Sequence, residues 1–345
     1  MTGFWPVLWV LLACTGSTPH ADPADLLVHR EAVLTGTLWS FTVRTNPGRE
    51  AEAAGAIAEA VAEVARLEGL LSERRSGSDV FRVNAGAGGP PVRVDPEVSA
   101  LLARALDLCL RSGRRMDPTF VPLGRLWDLD RLPFVVPGEA AIAEALALVD
   151  CSAVEVDPLA STVRLPRPGM ALGVGAFAKG YAVDRSMALL QAAGFSDALV
   201  DGGGDMLARG TRQDGPWRVG IRHPRGPAGT LVAVVPVTDR AVVTSGDAER
   251  YVEVDGRRIG HVLDPATGRP AGSLASVTVL APDAETADGL ATALFVAGEA
   301  AAGAILATHP AVDALFVRPD GSLQVTPGAR SLLQPGPQPA SVSSP

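Results

Sequence analysis

Asp288 and Thr292 stand four residues apart in the stretch Ala287-Asp288-Gly289-Leu290-Ala291-Thr292. On a helix that spacing puts both side chains on one face. A carboxylate and a hydroxyl are hard oxygen donors suited to Mg2+, an ion usually held by one or two protein carboxylates with positions left for phosphate. The same Asp also fits as a solvated charge near a helix start. His261 precedes the turn sequence Asp264-Pro265-Ala266-Thr267-Gly268. A neutral imidazole is the commonest general base near pH 7, although a lone histidine is often only structural. His20, His29, His223 and His309 have no comparable setting.

Lys179 follows the small-residue run Gly173-Val174-Gly175-Ala176-Phe177-Ala178. Such a run lets backbone approach a ligand closely, and a helix start offers free N–H groups to an anion. A lysine in the first turn is poor for the helix dipole and good for that anion. The run is not a Walker A loop, because GxxxxGK[ST] is absent. A tight strand-to-helix turn with a solvated lysine explains it equally well. Asp201-Gly202-Gly203-Gly204-Asp205 can form a backbone concavity for an anion or a plain glycine loop. Asp117 to Trp127 and Thr244-Ser245-Gly246-Asp247 are further unusual segments.

These residues need a scaffold. Ile57, Val61, Val64, Leu67, Leu70 and Leu71 recur on one face, so 49–71 is read as a helix. Helices are also expected over 96–111, with Asp95 as N-cap and Pro96 at its first position, over 139–149, over 178–193 ending at Gly194, and over 286–296 stopped by Gly298. A helix near 300–307 is followed by a strand near 314–317. Strand patterns fall in 32–43, 154–156, 162–165, 198–200, 217–221, 231–237, 241–244, 251–254 and 276–280. Residues 72–91 and 117–137 read as irregular. No solenoid repeat is present. Strands and helices mix without strict alternation, which points to an α+β fold.

The chain has 345 residues and is 47% hydrophobic, enough for a sizeable core and too apolar for a disordered chain. A formal charge of −8 argues against a nucleic-acid footprint. Val7 to Ala13 is an apolar run too short to span a bilayer and long enough for a signal-peptide core. It ends Leu11-Leu12-Ala13-Cys14, which resembles a bacterial lipobox; an ordinary signal peptide or a buried strand is the alternative. The expected organisation is a signal peptide over 1–14 with lipidated Cys14, a tether over 15–30, one catalytic domain over 31–325 and a disordered tail over 326–345. Cys109 and Cys151 remain; they can pair only if the fold brings them together. Neither lies in a zinc-like cluster.

Seven segments in this order, DPTFVPLGRLW, GVGAFAKGYAVD, DGGGD, TSGD, HVLDPATGRP, SVTVLAP and ADGLATALFVAG, resemble the ApbE family, the FAD:protein FMN transferases. The match runs from about Thr35 to Val317. The resemblance implies a T-fold-like α+β architecture of mixed sheets packed with helices. It implies an exported, lipid-anchored enzyme on the periplasmic or cell-surface side of a bacterial membrane. Such an enzyme uses FAD and Mg2+ to place FMN, through a phosphoester, on a Thr or Ser of a partner flavoprotein, releasing AMP. The acceptor motif is Ser/Thr-Gly-Ala-Thr/Ser-like. Carried over by position, the metal ligands are Ala176, Asp288, Ala291 and Thr292, the FAD contacts are Thr35, Trp127, Lys179 and Leu263, and the base is His261. The chain departs from the family at Thr35, where many members carry Met, at Gly173, where many carry Asp, and at Arg74, often aromatic. Two other readings share these residues: an FAD pyrophosphatase, in which water replaces the acceptor, and a non-catalytic flavin-binding lipoprotein.

Overall fold

Along the strand Arg240–Gly246 successive side chains face opposite ways, as a pleated strand requires. Ala241 and Val243 join a helix-covered core, and Val242 joins a second cluster behind the sheet. The computed structural model describes residues 26–227 and 229–335. Its main sheet has eight antiparallel strands, 26–34, 37–45, 198–202, 205–209, 240–246, 276–281, 313–317 and 323–325, which lie side by side in chain order. Both faces are covered. Helices Glu50–Leu71, Ala178–Ala192 and Ala284–Ala307 fill one side, where Trp39, Phe41, Ile57, Leu67 and Phe295 are buried. A three-stranded sheet of 217–222, 231–237 and 334–335 closes the other, around Trp217, Val235 and Leu315. The architecture is α+β, as the sequence indicates.

Between the second and third strands the chain leaves the sheet for the excursion 46–197. The two ends of this excursion are clamped together. The Arg44 amide donates to the Asp197 carbonyl at 2.9 Å, and the Arg44 guanidinium meets the Asp197 carboxylate at 2.7 Å. The excursion contains the helix Pro96–Arg111, capped by Asp95 with Pro96 in its first turn. It also contains a small cluster of Leu123, Trp127 and Ile142 packed on Leu263. Cys109 and Cys151 are joined in a disulfide across 42 residues. Closing such a loop in the unfolded chain corresponds to roughly 4 kcal/mol in the chain-entropy picture.

Several boundaries differ from the sequence reading. Residues 72–91 are not all loop, because Ser78 caps a helix Asp79–Ala85 by accepting from the Phe81 amide at 3.0 Å, and Val80 and Val83 are buried. A six-residue helix, Val121–Leu126, interrupts the irregular 117–137 segment. The tether does not reach residue 30: the first strand begins at Leu26 and pairs with 37–45 through a turn at Thr35-Gly36, both at positive φ. The tail is ordered as far as Pro335. Thr326 caps the helix Pro327–Leu332, and Gln334 pairs with Val234. The signal peptide, Cys14 and residues 336–345 lie outside the described residues. Helix Ala284–Ala307 is long and apolar enough to cross a membrane. Here it is a core helix, with Leu290, Ala291, Leu294 and Phe295 fully enclosed, and it turns at Gly298 (φ 68°, ψ 173°), where a helix stop was expected.

Two of these helices cross at a contact that only glycine permits. A Cβ on Gly180 would lie 2.1 Å from the Ala284 carbonyl oxygen and 2.8 Å from the Asp288 Cβ. Gly180→Ala is expected to destabilise the fold by about 1–3 kcal/mol, the range for overpacking. A fall in the denaturant midpoint with secondary structure retained checks this, and an unchanged midpoint would show that the helices need not touch here.

Candidate active site

The first turn of helix Ala178–Ala192 has no side-chain cap of its own. Its Gly180 amide donates instead to Asp288 Oδ2 at 3.0 Å, across the glycine contact. The favour is returned. Asp184 on this helix accepts from the Ala284 and Glu285 amides, each at 2.8 Å, at the start of helix Ala284–Ala307. Each helix therefore satisfies free amides of the other. In that exchange the Asp288 carboxylate is carried into the interior, where the residue is 3% exposed.

A cleft of about 120 Å3 opens above it. Gly175, Lys179, Asp205, Ser245, His261, Asp288 and Thr292 are among its walls. The Lys179 ammonium sits 2.8 Å from Asp205 Oδ2. Burial by itself would lower the Lys179 pKa, but the carboxylates of Asp205 and Asp288 outweigh it and raise it. Lys179 is thus a fixed cation. Burial, reinforced by repulsion from Asp205, pushes Asp288 up to about 8, against the pull of Lys179 and the Gly180 N–H. Lys179 is taken by Asp205, and among the described residues Asp288 has no ion-pair partner of its own. Thr292 Oγ1 lies 3.3 Å from Ser245 Oγ.

The Ala176 carbonyl faces the same helix: its oxygen lies 3.8 Å from the point a Gly289 Cβ would occupy. Ala176 lies just outside the helix, and the free Gly180 amide goes to Asp288, not to this carbonyl. Among the described residues no hydrogen bond ends on the Ala176 oxygen. An unclaimed carbonyl, a buried carboxylate and a hydroxyl form an all-oxygen donor set, so the residues present fit a hard divalent cation. Ala291, fully buried in the same turn as Thr292, contributes backbone there.

His261 stands at the rim, with its side chain reaching solvent. Its backbone amide donates to the Arg250 carbonyl at 3.1 Å, and its Nδ1 lies 3.3 Å from that same oxygen. A carbonyl can only accept, so Nδ1 carries the proton and Nε2 keeps its lone pair. The protein packed around the ring lowers its pKa, and the Arg250 carbonyl only partly offsets this. The ring is therefore neutral at pH 7, the form a base requires.

The other residues read as FAD contacts lie apart from these walls. Trp127 is buried, and its indole donates to the Gly268 carbonyl at 2.8 Å. Leu263 packs in the same cluster. Together they brace the turn that follows His261. Thr35 is exposed in the hairpin turn, where its hydroxyl accepts from Trp39 Nε1 at 3.1 Å. That hairpin touches the triple-glycine loop: Gly202 faces the Trp39 ring, and Gly203, at φ 70°, faces Thr37. At Gly173 a Cβ would meet Val121 at 2.7 Å and Phe120 at 2.8 Å, so these side chains fill the place where many relatives carry Asp. Asp205, Ser245 and Glu249 line the cleft without having been singled out individually. Asp205 and Ser245 were visible as parts of DGGGD and TSGD. Glu249 had no sequence signal.

The chain was compared with known proteins. The model of the ApbE family matches residues 35–316. The FAD:protein FMN transferase of Treponema pallidum (strain Nichols) is 38% identical over 315 residues, covering 87% of this chain and 86% of that protein. The enzyme of the same name from Klebsiella pneumoniae (strain 342) is 32% identical, covering 84% of each. The crystal structure of the ApbE protein from Thermotoga maritima superposes with a TM-score of 0.81 at 30% identity, over 90% of this chain and 100% of that one. Family match, relatives and fold agree over most of its length, and the chain belongs to the ApbE family.

Proposed function

We propose that the chain is an Mg2+-dependent transferase that moves FMN from FAD to a hydroxyl of a partner protein and releases AMP. The observation that carries this reading is the buried Asp288 carboxylate, which lines an open cleft together with Thr292, with the Ala176 carbonyl facing the same helix at Gly289. A divalent cation held there by Ala176, Asp288, Thr292 and the Ala291 turn supplies charge neutralisation for a diphosphate. Lys179 is the chain's own fixed positive charge at the cleft, and it faces the anion that FAD brings. His261 Nε2 takes the proton of the acceptor Ser or Thr hydroxyl. The new bond joins that oxygen to the FMN phosphorus. The bond that breaks links this phosphorus to the bridging oxygen, which leaves with AMP. A positioned base of this kind contributes about 10²–10⁴-fold. The acceptor carries a Ser/Thr-Gly-Ala-Thr/Ser-like motif.

The disulfide supports export, since such bonds persist in oxidising compartments. We propose a lipid anchor on Cys14 at a bacterial membrane. Radiolabelled palmitate is expected to label the expressed chain and not the Cys14→Ala variant; equal labelling of both would remove the anchor.

Incubated with FAD, Mg2+ and an acceptor bearing the motif, the wild type is expected to leave flavin fluorescence on the acceptor after denaturation. Asp288→Asn should lower this transfer by more than about 10²-fold, the scale of losing a key electrostatic group. It should also abolish the rise in melting temperature that Mg2+ gives the wild type. Wild-type turnover in the variant would dismiss the metal assignment, and release of AMP without any labelled acceptor would favour the pyrophosphatase reading.

His261→Gly is expected to reduce kcat with FAD affinity held within a few-fold. Because the His261 pKa is lowered, the base form is complete before neutrality. At saturating Mg2+, which would hold Asp288 ionised, the wild-type rate should climb with pH below about 6.5, the unperturbed imidazole value, and be level from pH 7 to 8. The variant should lack that limb. A limb centred above pH 7, or one that persists in the variant, contradicts the assignment.

A further inference from the structure

The cleft accounts for Lys179, His261, Asp288 and Thr292 but not for the loop 128–138. Twelve large apolar side chains are exposed among the described residues. Three of them, Leu132 (83% exposed), Val135 (64%) and Val136 (46%), fall within five residues of this loop, and a fourth, Tyr251, directly follows Arg250. Single exposed apolar residues need no explanation, but a contiguous patch does.

The loop is held in place from below. Phe134, set between the exposed residues, turns inward against the cluster of Leu123, Trp127, Ile142 and Leu263. At its near end Asp130 forms an ion pair with Arg250. Arg250 is the residue whose carbonyl faces both the amide and Nδ1 of His261. One residue thus ties the apolar patch to the general base. A protein hydroxyl that reaches His261 brings the surface around it against this rim.

We propose that Leu132, Val135 and Val136 form the docking surface for the folded acceptor protein, set beside the base that takes its proton. This rests on the transfer reading above. The occupant is a protein, because the loop packs on Leu263 through Phe134 and pairs with Arg250 through Asp130, the two residues that flank His261 in the fold, and an exposed apolar centre with charged residues around it, here Asp128, Asp130, Arg131 and Arg250, matches the make-up of protein interfaces.

The test compares the full-length wild type with L132S/V135S/V136S. Two probes are used: a folded domain bearing Ser-Gly-Ala-Thr and a short synthetic peptide with the same four residues. For the variant, kcat/KM toward the domain is expected to fall about tenfold or more, mainly through KM. Transfer to the peptide and the melting temperature should stay as in the wild type. Unchanged transfer to the domain overturns the proposal. So does an equal loss with both probes, which would mean that the loop acts on the site itself. If instead the variant transfers normally to the domain but no longer sediments with phosphatidylethanolamine–phosphatidylglycerol vesicles that hold the wild type, the patch meets lipid and the proposal fails. Absence of transfer by the wild type to either probe would strike the transferase reading, not the docking surface.

Discussion

The structure depends on one crossing of two helices. At Gly180 the backbones of Ala178–Ala192 and Ala284–Ala307 approach so closely that a methyl group has no room. That proximity lets Asp288 accept from the amide of Gly180, while Asp184 accepts from those of Ala284 and Glu285. Helix ends ordinarily leave such amides to caps or water. Here the ends cap each other, and the by-product is a carboxylate fixed in the interior, where it is costly on its own.

That cost gives the site its chemistry. Asp205 and Asp288 are both buried, and Lys179 is the single cation among the described walls of the cleft. Lys179 is already paired with Asp205, so burial and the repulsion of Asp205 hold the Asp288 carboxyl up to about 8, and the proposed divalent cation would supply the charge that favours its ionised form. The proposed base lies at the edge of the same cleft. His261 sits at the rim, oriented by a backbone carbonyl instead of a carboxylate. It stays neutral, accessible and aimed at whatever approaches from outside.

Much of this was legible in the residues. The 57–71 periodicity marks the helix face, Asp95-Pro96 marks a helix start, and the Asp288/Thr292 spacing places both at the cleft. The resemblance to a family linked His261 to them across the chain, which spacing alone could not do. The misses share a physical origin. The helix 79–85 is short, and its stability comes from the Ser78 cap and from Val80 and Val83 packing beneath it, so no long periodic signal exists. Residues 327–335 have the composition of a tail, yet Thr326 caps a helix there and Gln334 finds a strand to pair with. Trp127 and Leu263 are buried together beneath the His261 turn, a pairing across the chain that no local pattern shows. A motif shows that a residue matters; it does not show which way the side chain faces. The disulfide partners were visible, but their approach depends on the path from Ser112 to Asp150, which no local pattern dictates.

The excursion from Asn46 to Asp197 departs from and rejoins the main sheet between adjacent strands, with Arg44 and Asp197 holding its ends together. To the sheet it is therefore a cassette with a closed doorway. Its loops can lengthen without altering which strands are neighbours, because the entropy of closing a longer loop rises only slowly with its length, whereas its helices Glu50–Leu71 and Ala178–Ala192 are bound into the core over the sheet. The excursion also carries Lys179 and the exposed loop 128–138, so one inserted stretch of chain supplies both a wall of the cleft and an apolar patch outside it.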